Sequence, residues 1–192
     1  MMRSLLLVTL LAGAASCGDN EKPIFDYSNP PKGGALRLVK SKTKPKAETE
    51  VVLDLIVGDQ PLTGYSVGFN LPVGHGLLRL TDFVAGKALD PGSSPAAAQA
   101  LQPIKGPLAD MLVTGLSQKA SGNGAVATDT VLPPGSVLYT VHLEMISGAP
   151  EGVIVDGTAD DFHLPSGGMR DRGGTTVVEA MDVAIGKLEI NR

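Results

Sequence analysis

Tryptophan is absent from these 192 residues, cysteine occurs once, and histidine three times. One cysteine excludes any disulfide within the chain, so the fold must be held by packing. Aromatic residues amount to 4%, three Tyr and four Phe. Surfaces that stack rings on sugar faces are therefore poorly supplied. The three histidines, His75, His142 and His163, stand apart in the sequence, and neither Gly-x-Ser-x-Gly nor His-Glu-x-x-His occurs. Nothing points to a catalytic triad, a metalloenzyme or a resident cofactor. The net charge of −4 removes the electrostatic case for binding nucleic acid. The longest apolar run near the N-terminus, residues 5–12, is far short of the ~18–20 residues that cross a bilayer.

What the chain does have is 43% hydrophobic residues, 24 Gly and 14 Pro. That composition supports one sizeable core with many turns and little helix. At the N-terminus, Arg3, the apolar run and the small residues Ala14 and Ala15 make a secretory signal. Ala15-Ser16-Cys17 resembles a bacterial lipobox, although Ala14 stands where Leu is commoner. The resemblance implies that Cys17 takes a diacylglycerol thioether, becomes the new N-terminus and is acylated on its amine. Several chains on one residue give the multiple anchors that stable attachment needs. Gly18 after the cysteine is compatible with the outer membrane, on its periplasmic side or at the cell surface.

The expected organisation is a signal peptide at 1–16, a lipid-anchored flexible linker at 17–34 and one domain at 35–192. Pro23, Pro30, Pro31 and Gly33-Gly34 suit a linker. Ile24, Phe25 and Tyr27 within it have an alternative use, docking on the domain. Lys40, Lys42, Lys44 and Lys46 alternate through a charged turn. That turn reads either as a solvated hairpin tip or as a contact for anionic headgroups.

Alternation of apolar and polar residues predicts strands over 35–40, 51–57, 65–71, 77–84, 108–116 and 137–146. A short buried strand is expected at 153–155. In 65–71, Tyr65, Val67, Phe69 and Leu71 point inward, and Gly68 outward lets another backbone come close. In 137–146, Val137, Tyr139, Val141, Leu143 and Met145 share the inner side. Ser94, Pro95 and the alanines after them predict one or two helical turns over 94–101. Parity changes between Met181, Val183 and Ile185 and then Leu188 and Ile190, which requires a bulge or tight turn at Gly186. About nine short strands with at most one short helix make an all-β, antiparallel β-sandwich.

The order of these signals is similar to cohesin-like and carbohydrate-binding-module sandwiches. The Tyr65–Leu71 alternation, the Leu-rich strand with Ala85-Gly86 after it, the strand following Gly135, and Gly186-Lys187-Leu188-Glu189-Ile190 carry the likeness. It implies a nine-strand jelly-roll that binds a protein partner or polysaccharide and is not an enzyme.

Three sets of residues have chemistry worth placing. His142 and Glu144 share an outward face with Thr140, read as a solvated sheet face or half a metal site. Asp156, Asp160 and Asp161 are weak candidates for a structural calcium ion, although the spacing is not that of an EF-hand. Asp54, Asp82 and Glu144 are carboxylates on strands, but no spacing selects a glycosidase pair. Gly33-Gly34 and Gly167-Gly168 are read as turn glycines. The expected function is a lipid-anchored cell-envelope binding or assembly module that contacts a protein partner through residues 90–107, 117–134 or 156–174. The alternatives are a carbohydrate-binding surface module and a structural subunit of a secretion or pilus complex.

Overall fold

The computed structural model describes residues 24–73, 76–89, 97–103, 105–106, 111–118, 128–156 and 167–191. In chain order the strands are β1 (Phe25–Ser28), β2 (Leu36–Lys40), β3 (Glu50–Val57), β4 (Leu62–Gly64) and β5 (Ser66–Pro72). β6 (Leu78–Ala85), β7 (Ala97–Leu101), β8 (Met111–Ser117), β9 (Thr130–Leu132) and β10 (Val137–Met145) follow. The chain closes with β11 (Gly152–Asp156), β12 (Gly167–Arg170), β13 (Thr176–Glu179), β14 (Val183–Ala184) and β15 (Lys187–Ile190). A single 3-10 turn, Ala180–Asp182, separates β13 from β14.

Two five-stranded sheets, β14-β2-β3-β10-β6 and β13-β12-β5-β8-β7, enclose the core, with a small β1-β15-β11 sheet and a β4-β9 pair. The molecule is an all-β sandwich. Every pairing is antiparallel except β14 with β2. Alternation places Leu36 and Leu38 of β2, Leu53 and Leu55 of β3, and Val67, Phe69 and Leu71 of β5 in the interior. Tyr139 lies at the centre, fully buried, with Phe69 and Phe83 on it at ring distances of 6.1 and 5.0 Å. Its hydroxyl meets Thr114 Oγ1 of the opposite sheet at 2.8 Å, and Thr114 donates to the Phe69 carbonyl. Burial pushes the Tyr139 pKa far up despite the Thr114 bond, so the ring stays neutral.

Several expectations need correction. The 94–101 stretch is not helical where described: Ala97–Leu101 is β7, paired with β8 from Ala97↔Ser117 to Leu101↔Val113. Alanine's helix preference is worth under ~1 kcal/mol per residue, and a full ladder on β8 outweighs it. In β10 a register shift between Val137 and Tyr139 turns Leu138 inward and leaves Val137 exposed. In β11 only Val155 is buried. Val153 faces solvent because a shift across β15 separates the two.

The linker also ends earlier than expected. Phe25–Ser28 pairs with β15, and Phe25 and Tyr27 are core residues, so the described part of 17–34 contains a domain strand. Tyr27 explains the break at Gly186. Its hydroxyl donates to Leu38 O at 2.8 Å and accepts from Gly186 N at 2.6 Å, tying β1 to β2 and to the approach of β15. A Cβ at Gly186 would collide with the Ser28 carbonyl and the Tyr27 ring. Burial pushes the Tyr27 pKa well up, with the Gly186 amide and Arg37 opposing.

His142 is not on a solvated face either. It is 6% exposed, and Nδ1 donates to Glu50 Oε1 at 3.0 Å. The other Glu50 oxygen accepts the Lys46 backbone N–H, and Glu50 N bonds to Ala47 O. The charged turn before β3 is thereby folded back on the sheet, covering the pair. Burial raises the Glu50 pKa, but the Lys46 amide, the His142 ring and the Lys46 charge together outweigh it. The carboxyl titrates below its ordinary 4.5.

Two outcomes follow from these contacts. Gly186→Ala should cost about 1–3 kcal/mol or more in urea unfolding through overpacking, while Gly115→Ala, whose Cβ meets nothing within 4 Å, should stay within about 0.5 kcal/mol. Equal effects would contradict the Tyr27 clamp. A lowered folded pKa gives Glu50 a stabilisation that is present above its unfolded value and lost as pH falls through the folded one. Glu50→Gln should therefore cost about 1–2 kcal/mol at pH 7 and flatten the stability profile below about pH 4.5. An unchanged acid limb would contradict that assignment.

Candidate functional site

Cross-strand register assembles a site that no linear motif announces. Gly168 of β12 pairs with Gly68 of β5, Gly68 with Gly115 of β8, and Gly115 with Gln99 of β7. Three glycines thus form one row across three adjacent strands of the β13-β12-β5-β8-β7 sheet. Thr114, the residue before Gly115, points into the core toward Tyr139, so Gly115 must face outward. The neighbouring row on the same face is Arg170, Ser66, Ser117 and Ala97. Without side chains the row becomes an open trough of about 430 Å³ on the outside of the sandwich.

Each glycine has its own physical reason. A Cβ on Gly68 would lie 2.7 Å from Thr114 O, and one on Gly167 would strike the Gly68 carbonyl and Phe69. Gly167 and Gly168 have φ of 140° and 109°, a region that favours glycine, and they form a strand rather than the expected turn. Gly115 differs: its Cβ would point into empty trough. The first group is needed by the fold, while Gly115 is not.

The lining is mainly apolar, with a few polar side chains and one charge. Gln99 and Arg170 are exposed, and Arg170 Nη1 donates to Gly174 O at 2.9 Å. Ser66 and Ser117 hydroxyls line the floor's edge, and Leu101 at the end of β7 is 49% exposed. No carboxylate, histidine or cysteine lines the trough among the described residues. The arrangement offers van der Waals contact with bare backbone, a few hydrogen-bond donors and acceptors, and one cation. It suits recognition by shape. Among the described residues the trough offers no pair of groups for acid–base chemistry.

The other candidate residues do not converge on it. His142 is bonded to Glu50 beneath the charged turn, Glu144 pairs with Arg79, and Asp54 accepts from Thr140 Oγ1 at 2.6 Å. Asp82 accepts the Phe83 backbone N–H at 2.8 Å. Asp156 ends β11 opposite Lys187, whereas Asp160 and Asp161 lie outside the described residues, as do His75, His163 and Cys17. No cluster of three metal-ligating side chains occurs among the described residues. Of the loops expected to make contact, about half of each of 90–107, 117–134 and 156–174 also lies outside them. Outward Gly68 was legible in the sequence as a point of close approach. Gly115, Gly168 and Gln99 were not, because only register brings them into line.

No protein-family model matches the chain, and no curated protein matches it. Solved structures similar in shape include two from Clostridium. One is a chain from the crystal structure of a type I cohesin–dockerin complex of Clostridium thermocellum, 14% identical at a TM-score of 0.49. The alignment covers 82% of this chain and 99% of that one. The other is the solution structure of CaCohA2 from Clostridium acetobutylicum, 13% identical at a TM-score of 0.46, covering 81% of this chain and 89% of that one.

Proposed function

We propose that this chain is a lipid-anchored protein of the bacterial cell envelope, held at the outer membrane through Cys17. Its sandwich is a non-catalytic module that presents the glycine-floored face to a protein partner. The observation that carries the reading is the Gly168-Gly68-Gly115 row, where Gly115 leaves space that no internal packing requires. A partner side chain set against this floor would reach backbone contact. The Arg170 guanidinium at the rim favours a carboxylate on the partner. The module acts by presentation, because confinement at a membrane raises the effective concentration of a partner there.

Polysaccharide is the weaker ligand class. Among the described residues Phe25, Tyr27, Phe69 and Tyr139 are buried, and Tyr65 and Phe83 are partly buried, which leaves no exposed ring to stack on a sugar.

The anchor is tested by intact mass of the mature protein from membrane fractions. A chain beginning at Cys17 and carrying three acyl groups is expected, and Cys17→Ala should lose both the lipid and membrane retention. A lipid-free mature chain in the soluble fraction would overturn the anchor. For the binding face, Gly115→Arg should leave the melting temperature nearly unchanged while weakening partner capture at least about tenfold. Val84→Arg, on the exposed face of β6 in the other sheet, should leave capture intact. The reverse pattern would place the contact on that other sheet.

A further inference from the structure

The end of the sandwich at which the chain enters the domain brings several turns together. Asn191 N bonds to Ile24 O at 2.7 Å, and Ile190 pairs with both Phe25 and Gly152. Gly152 follows the turn after β10, where Ala149 N bonds to Ile146 O. Met145 N in turn bonds to Thr49 O in the turn between β2 and β3. Asp26 of β1 reaches Lys40 at the end of β2, at 2.6 Å. These bonds gather Ile24, the 41–49 turn and the 146–151 turn at one end. The chain that leads back to Cys17 leaves from there.

From this placement we infer that this end of the domain lies against anionic phospholipid headgroups of the membrane that holds the anchor. The inference rests on the anchoring reading above. Lys42, Lys44 and Lys46 are exposed there, and among the described residues no acidic side chain forms a salt bridge with them, although the Lys46 charge acts on Glu50. The neighbouring cations differ: Lys40 is paired with Asp26, and Arg79 with Glu144. Among the described residues, the carboxylates at this end include the exposed Glu48 and Glu151 and the paired, partly exposed Asp26 and Glu144, while that of Glu50 is buried against His142. The turn that carries the lysines is also held in place, because Glu50 binds the Lys46 backbone amide and folds the turn onto the sheet. Ile24, Ile146 and Val153 are exposed beside them, at 39, 37 and 50%. Cations mixed with aliphatic side chains are the composition of a surface that rests in a headgroup layer.

Reach supports the same geometry. With Phe25 already in β1, the stretch from Cys17 to Ile24 spans at most about 25 Å fully extended. A tether that short, leaving from the lysine end, keeps this end nearest the bilayer.

The test uses the lipidated full chain reconstituted into vesicles, with lysine acetylation rates read residue by residue. In phosphatidylcholine containing about one-third phosphatidylglycerol, Lys42, Lys44 and Lys46 should be acetylated at least about threefold more slowly than in phosphatidylcholine alone. Lys87, beyond the far end of β6, should not change. The protection should vanish at roughly 1 M salt, where screening acts within ~3 Å. Equal rates on both vesicles, with the acyl mass present, would overturn the inference and leave the anchor standing. Protection that appears only when an acidic protein is added would assign the lysines to a protein partner instead. A mass lacking the acyl groups would overturn the anchor and this inference together.

Discussion

A buried phenol must find a hydrogen-bond partner, and the sandwich is aligned around the one that Tyr139 finds. The ring lies at the centre of the core, so its hydroxyl is out of reach of water, and an unmet partner there costs about 1–3 kcal/mol. Thr114 supplies the bond from the facing sheet and hands its own proton to the Phe69 carbonyl within that sheet. Hydrophobic contacts alone tolerate sliding of one sheet over the other. A pair of hydroxyls at 2.8 Å does not.

That alignment reaches the outer surface through the strict two-residue period of β8. With Thr114 held inward, Gly115 is held outward, and its register partners Gly68 and Gly168 complete the row. The trough is therefore the outer consequence of an inner constraint. The second polar anchor, Tyr27 with Leu38 and Gly186, works the same way at the flank: it fastens β1 to the domain and fixes where the N-terminal chain departs. Glu50 and His142 do so at the β2–β3 turn. Three buried polar contacts thus set the glycine-floored face, the point where the N-terminal chain departs and the display of lysines.

Much of this architecture was legible in the sequence, because alternation is a local signal. The inward sets of β2, β3 and β5 are found where alternation puts them, and the parity change at Gly186 correctly demanded a break. What was not legible depends on partners distant in sequence. The 97–101 alanines carry no local mark of the β8 ladder they join. His142 looks solvent-facing until the turn before β3 is seen folded over it. Phe25 and Tyr27 sit among proline and polar residues that speak for a linker, and only β15 reveals them as a strand. The glycine row is the clearest case, since its members are separated by about fifty residues each and meet only through register.

The claim that the glycine-floored face is the contact surface is tested most directly by a photocrosslinking residue placed at Gln99, at the end of the glycine row, in living cells. The same residue at Val84 serves as the comparison. Position 99 should capture one discrete protein in the envelope, reproducibly and in proportion to its abundance, while position 84 should capture none. Crosslinks from position 84 with silence at position 99 would contradict it.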